Sequence, residues 1–300
     1  MRARDVGRRR RPLVLALVLG LLVVGGGLLL VSRVHPTEAA IPTASASATP
    51  GGTTPSTTAG RPTAGSPSAT PAGPVRVVAL GDSVTAGTAC GCTAFPELYQ
   101  TGLREQVGRT VRLDDRGEPG ATTSDVLDDL GSSGGRSVAD ADVVLVTIGA
   151  NDFGDVADSV QDGSCGADLA CAQDDLAALR THLATLMGTI RTLRQGQPTA
   201  VLVTGYWNVY EDGEVADSDY TAAGTRASDA LTRQVNAVEE SAARTGGGTY
   251  VDLYAPFKGD DGGKDPTGLL ADDGDHPDAE GHQVIAKALL DAGTAPLDLS

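Results

Sequence analysis

Residues 75–300 predict an α/β fold, a three-layer α/β/α sandwich around a central five-stranded parallel sheet. Short apolar runs bounded by turn residues alternate with helical patterns. The run at 143–148 is unbroken and made of β-branched and aliphatic residues, as a strand covered on both faces requires. Between the runs, apolar residues recur at intervals of three and four, the signature of amphipathic helices. Taken in order, strands are expected at 75–80, 111–113, 143–148, 200–204 and 250–253. Leu176, Leu179, Leu183, Leu186, Met187, Ile190 and Leu193 form one apolar stripe and predict a long helix. Leu231, Val235 and Val238 predict a second helix, and Val284, Ile285, Ala288 and Leu289 a third. No internal repeat is evident. In such sheets ligands bind beyond the carboxyl ends of the strands, so the residues just after each strand are where chemistry is sought.

The rest of the chain differs in kind. Up to Pro74 there are 8 basic and 2 acidic residues, which leaves 15 basic and 37 acidic residues in the remaining 226. That part carries a net charge of −22 and is long enough to bury a sizeable single core. Such a body repels phosphate backbones, and with aromatics at 3% it offers little for base stacking, so nucleic acid is not an expected partner. The first segment, 1–12, is basic, with Arg2, Arg4 and a run from Arg8 to Arg11. Residues 13–31 follow without a charge. As a helix they would measure about 28 Å, enough to cross a bilayer core of about 30 Å. The arginines would stay cytoplasmic and the remainder would lie outside. The run is longer than the apolar part of a signal peptide and is followed by Ser32, Arg33, Val34, His35 and Pro36, a poor cleavage site. We therefore expect an uncleaved single-pass anchor, with cleavage and secretion as the alternative. Residues 32–74 are dominated by Pro, Thr, Ser, Ala and Gly, a composition that predicts a disordered stalk. The membrane would be met through the N-terminal segment only, by a monomeric domain.

Three short motifs stand at strand ends or helix starts. Gly81-Asp82-Ser83 follows the first strand, where a serine hydroxyl can project from the edge of the sheet. Alone, these letters are weak evidence and more often make an ordinary turn. Gly149-Ala150-Asn151-Asp152 follows the third strand. The Asn151 amide could donate to a developing oxyanion, while Asp152 suits a helix cap. In Asp273-Gly274-Asp275-His276-Pro277 a carboxylate three residues ahead of a histidine can hold Nδ1–H and leave Nε2 free as a base. Pro277 suits the first turn of the following helix. Read singly, this stretch is an acidic surface loop.

Together and in this order, the motifs resemble the SGNH/GDSL hydrolase superfamily of esterases and lipases, over residues 77–290. Gly81-Asp82-Ser83 matches the nucleophile block, with Val84 where the family usually has Leu. Glu118-Pro119-Gly120-Ala121-Thr122-Thr123 matches the second block and Gly149-Ala150-Asn151-Asp152 the third. Asp273 and His276, followed by Pro277 and Gly281-His282, match the last. The resemblance implies a flavodoxin-like fold, with Ser83 as nucleophile, His276 as general base and Asp273 orienting His276. It implies an oxyanion hole made by the backbone N–H groups of Ser83 and Gly120 and the side-chain amide of Asn151. A serine needs an adjacent base to become a nucleophile, and a glycine lets a backbone N–H approach a ligand closely, so the chemistry agrees. The implied activity is hydrolysis of a carboxylic ester from a small ester, lipid or acylated glycan. O-acyl transfer and a non-catalytic wall- or glycan-binding module are the alternatives.

Other residues invite lesser readings. Gly131-Ser132-Ser133-Gly134-Gly135 fits a Gly-x-Ser-x-Gly pattern but has no strand before it, so a flexible loop is expected. His182 reads as a partly exposed structural residue and His282 as a packing or capping one. Asp82 and Asp152 read as loop-holding. Asp275 rivals Asp273 for His276. Tyr206, Trp207 and Tyr210 suit a substrate wall or ordinary packing equally well. Cys90, Cys92, Cys165 and Cys171 suggest two disulfides outside the membrane. Pairing Cys165 with Cys171 forces a tight Cys90–Cys92 link; the other pairings staple the loop after Ser83 to the loop after Asn151, and we lean towards these. Four cysteines can bind zinc, but the spacing disfavours it, and no metal or other cofactor is expected.

Overall fold

The computed structural model describes residues 73–299. The basic segment 1–12, the apolar segment 13–31 and nearly all of the stalk at 32–74 lie outside the described residues. Among the described residues, no helix is long and apolar enough to cross a membrane.

Five parallel strands form one sheet: β1 (Val75–Gly81), β2 (Val111–Gly117), β3 (Val143–Thr147), β4 (Ala200–Thr204) and β5 (Thr249–Val251). Their spatial order is β2-β1-β3-β4-β5, the order of flavodoxin-like sheets. The α-helices are α1 (Phe95–Val107), α2 (Thr123–Leu130), α3 (Ser133–Ala139), α4 (Ala157–Gln161) and α5 (Gln173–Arg194). They continue as α6 (Gly213–Asp219), α7 (Ala222–Gly246), α8 (Tyr254–Lys258) and α9 (Ala279–Ala292). Two groups flank the sheet: α1 packs against α9, whereas α2, α3 and α7 pack against α5. Every residue of β3 and β4 is buried, which is why these strands are apolar without alternation.

The predicted strands are all present, with shifted ends. β2 runs on to Gly117 through Asp114, Asp115 and Arg116, because an edge strand needs no apolar residue on its open side. β5 begins one residue earlier than its apolar run and ends at Val251. The three predicted helices are α5, α7 and α9. α1 is a further helix, and its buried residues Phe95, Tyr99 and Leu103 stand four apart.

Two expectations are corrected. Residues 131–135 are not a flexible loop: α3 begins at Ser133, whose hydroxyl accepts from Arg116 at 2.6 Å. Gly134 and Gly135 are packed so closely that a Cβ on Gly135 would lie 2.2 Å from the Leu130 carbonyl oxygen. The cysteines do not cross-link the two loops. Cys90 pairs with Cys92 and Cys165 with Cys171, at Cα separations of 5.1 and 5.2 Å. The Cys90–Cys92 link closes because Ala89 and Gly91 both take positive φ, 61° and 58°, and curl the chain.

Candidate active site

The register of the sheet brings three loops to one level. Gly81 pairs with Gly117 on one side and Thr147 on the other, so β1, β2 and β3 end together. Ser83 therefore emerges between the loop that carries Gly120 and the loop that carries Asn151. The turn that carries Ser83 is tied to both neighbours. Asp82 N–H donates to the Thr147 carbonyl at 3.2 Å, and Glu118 N–H donates to the Gly81 carbonyl at 3.0 Å. A side chain on Gly81 would be impossible, since its Cβ would sit 2.1 Å from Thr85 Oγ1 and 2.4 Å from the Thr147 carbonyl oxygen. Ser83 itself is partly exposed, and its hydroxyl makes no hydrogen bond among the described residues.

Gly120 has φ +82°, a conformation other residues rarely adopt, and nothing lies within 4 Å of where its Cβ would be. Asn151 Nδ2 donates one hydrogen to the Ala121 carbonyl at 2.9 Å. That bond fixes the plane of the amide and leaves its second hydrogen for another acceptor. The same two loops are clamped again by Asp152. Its Oδ2 accepts from Thr123 N–H at 3.0 Å and its Oδ1 from the Thr123 hydroxyl at 2.5 Å. His182 Nδ1 meets the same hydroxyl at 2.8 Å. Because that hydroxyl's hydrogen goes to Asp152, His182 donates to the oxygen and braces the clamp from α5.

Asp273 folds the loop before α9 around itself. Its Oδ1 accepts the backbone N–H groups of Asp275 and His276, each at 3.0 Å, and its Oδ2 lies 2.8 Å from His276 Nδ1. A carboxylate only accepts, so His276 carries its hydrogen on Nδ1 and presents a lone pair at Nε2. Burial works to raise the Asp273 pKa, but the hydrogen bonds from His276 and Asp275 outweigh it and hold it below the usual carboxylate value. Asp275, the rival, is 3.7 Å from His276 Nδ1 and stands off the ring. Burial pushes its pKa up to about 6. The charge on His276 works to lower the pKa of the buried Asp82, against the larger opposing effect of burial. Among the described residues no hydrogen bond yet joins His276 to Ser83; such contacts often tighten only when substrate is bound.

The remaining candidates settle into structural places. Tyr206, Trp207 and Tyr210 are 1%, 1% and 8% exposed, so they are packed and do not form an open wall. Trp207 stacks on Phe257 with ring centroids 4.3 Å apart. His282 is buried on α9, where its Nδ1 accepts Phe95 N–H at 3.2 Å and so caps α1. His282, Cys90 and Cys92 each bring a donor atom within 4.8 Å of the others. Yet the Phe95 bond occupies the Nδ1 lone pair and leaves the hydrogen on Nε2, so neither nitrogen offers a metal a free pair. Sequence reasoning passed over Glu239, a fully buried acid on α7 with no partner for either oxygen among the described residues. Burial drives its pKa well above the usual carboxylate range. Its position in an amphipathic helix gave no signal.

This arrangement, a parallel sheet with Ser, Gly, Asn and Asp–His motifs at its carboxyl edge, defines a class of ester-hydrolysing α/β enzymes. The chain belongs to the GDSL-like Lipase/Acylhydrolase family, which it matches over residues 79–284. Solved structures share the fold at low identity. The lipase Lip_vut3 from a goat rumen metagenome is 21% identical, with a TM-score of 0.58, covering 75% of this chain and 100% of that one. Phospholipase A1 from Streptomyces albidoflavus NA297 is 24% identical, with a TM-score of 0.57, covering 73% of this chain and 100% of that one. A W190I mutant of Axe2, an acetyl-xylooligosaccharide esterase from Geobacillus, is 20% identical, with a TM-score of 0.50, covering 73% and 94%. No curated protein matches the chain in sequence.

Proposed function

We propose that the protein is an extracytoplasmic serine esterase that hydrolyses a carboxylic ester through an acyl-enzyme on Ser83. The observation that carries this reading is the Asp273–His276 pair, whose geometry reserves Nε2 as a proton acceptor beside the nucleophile turn. In the proposed reaction, Ser83 Oγ forms a bond to the carbonyl carbon as His276 Nε2 takes the hydroxyl proton. The negative oxygen is met by the backbone N–H groups of Ser83 and Gly120 and by the free hydrogen on Asn151 Nδ2. The C–O bond to the alcohol then breaks, and the alcohol leaves with the proton from His276. Water repeats the sequence: it gives a proton to His276, attacks the acyl carbon, and Ser83 departs with the proton as the acid is released. Asp273 stays ionised and stabilises the imidazolium formed in each half.

The extracytoplasmic placement is supported by the arginine cluster ahead of the uncharged run at 13–31 and by the pairing of all four cysteines. The substrate is proposed as a class only, an ester of a small alcohol, a lipid or an acylated glycan. The test is turnover of a short-chain aryl ester by the chain and by Ser83→Ala. Loss of about a thousandfold or more in the variant, with an unchanged melting temperature, is expected. Equal turnover by the two proteins would remove Ser83 from the mechanism. Acceptor glycans in the same assay distinguish hydrolysis from acyl transfer by the appearance of acylated product.

A further inference from the structure

Beneath the nucleophile turn lies a buried polar chain that the mechanism above does not use. Asp82 is 1% exposed. Its Oδ1 accepts the backbone N–H of Val84 at 3.0 Å, so the carboxylate spans Ser83 from one side to the other. Its Oδ2 accepts the hydroxyl of Tyr206 at 2.5 Å. Tyr206 is also 1% exposed. One hydroxyl thus stands directly behind the turn that carries Ser83.

Tyr206 is itself held from behind. Asn236 on α7 accepts its backbone N–H at 2.9 Å and donates to its backbone carbonyl at 2.8 Å. The phenol oxygen is therefore anchored to a long helix and does not ride on a free loop. Packing alone does not require this arrangement. A phenylalanine would fill the same volume, and an asparagine at position 82 would still accept the Val84 N–H. Burying a carboxylate is unfavourable unless hydrogen bonds compensate, so its presence here calls for a role.

We propose that Tyr206 is a positioning residue for ester hydrolysis, its hydroxyl holding the Ser83 turn through Asp82 while Asn236 ties its backbone to α7. The proposal rests on the reading of Ser83 as nucleophile. Its physical basis is that the attacking oxygen and the oxyanion donors come from different loops, and a small error in where the Ser83 turn sits weakens both attack and stabilisation. The effect falls on the transition state, because the ground-state ester does not need both groups at once.

The experiment compares the full chain with Tyr206→Phe, Asp82→Ala, the double variant and Ser83→Ala. It measures kcat and KM on a short-chain aryl ester, the rate of Ser83 labelling by a fluorophosphonate, and thermal melting. Tyr206→Phe is expected to lower kcat by ~10- to ~100-fold with KM changed by less than about twofold, and to slow labelling in step. Asp82→Ala, which leaves neither a donor nor an acceptor for the Tyr206 hydroxyl, is expected to lose at least a similar factor, and the double variant no more than the worse single one, since both break the same chain. Full kcat in Tyr206→Phe, or losses that multiply in the double variant, would overturn the proposal. So would a loss that follows melting temperature and leaves the labelling rate of the folded fraction unchanged. If Tyr206→Phe does not fold, Asp82→Ala alone decides: unchanged kcat and labelling refute the link. Turnover that survives Ser83→Ala would instead overturn the esterase reading itself, whatever the other variants do.

Discussion

Replacing His282 with Gln should flatten the acid side of the protein's stability curve. His282 is fully buried on α9 and stacks on Phe95, with ring centroids 6.2 Å apart. Its Nδ1 already accepts the Phe95 N–H, so a second ring proton would land against a donor and break that bond. Burial is the main cause that lowers its pKa from 6.5 to about 4, with Asp278 pulling it up and His276 pushing it further down. Between those two values the unfolded chain binds a proton that the folded chain refuses. Folding stability therefore rises with pH across the window and is lost as pH falls from about 6.5 to about 4. At about 1.36 kcal/mol per pKa unit, the full loss is about 3 kcal/mol, a large part of the ~5–15 kcal/mol that holds an ordinary domain together.

Urea unfolding of the wild-type chain and His282→Gln at about pH 7, 6, 5 and 4 measures this. Gln retains an acceptor for Phe95 N–H and does not titrate. The variant should start lower at neutral pH, by ~1–2 kcal/mol for the imperfect fit, and the difference should shift by about 3 kcal/mol in its favour on acidification, so that the variant is the more stable protein near pH 4. Asp82 and Asp275 act in the opposite sense, because burial raises each to about 6 and the folded chain takes up their protons first. Both residues are present in both proteins, so they cancel in the difference. A difference that stays constant from neutral pH to about 4 would refute the reasoning.

Two further outcomes follow from the same geometry. On the proposed mechanism, Asn151→Ala should lower kcat by ~10²–10³ while leaving KM nearly unchanged, because the second amide hydrogen would be used only as the oxyanion develops; steady-state kinetics decides. Lys258→Met should destabilise the fold by ~3 kcal/mol, since the buried Nζ lies 2.7 Å from the buried Asp212 and its removal leaves that carboxylate without a cation, while Asp229 keeps Arg233 and Tyr254. Adding Asp212→Asn should recover part of that loss in thermal melts.

Much of the fold and of the candidate site can be read from local chemistry. Strands such as β3 and β4 are legible because burial on both faces demands an unbroken apolar run. The lower half of β2 is not, because Asp114, Asp115 and Arg116 lie at an open edge that imposes no hydrophobic rule. The site motifs are legible because each is short and contiguous. What stays hidden is everything that depends on partners far apart in the chain. Nothing near Thr123 announces Asp152 or His182, and nothing near Asp82 announces a phenol 124 residues later. The disulfides mislead for a related reason. Their pairing turns on backbone dihedrals at Ala89 and Gly91, and the Ala89 letter gives no warning of a positive φ.

The cap that His282 places on α1 has a consequence for engineering. The helix that follows His276 and the helix that follows Ser83 are keyed to one another by a single ring nitrogen, although Phe95 and His282 stand 187 positions apart. A chimera that exchanges only the C-terminal segment for that of another hydrolase would import an imidazole with no matching lock, or leave Phe95 unlatched. The natural unit of exchange is the α1–α9 pair, transplanted together.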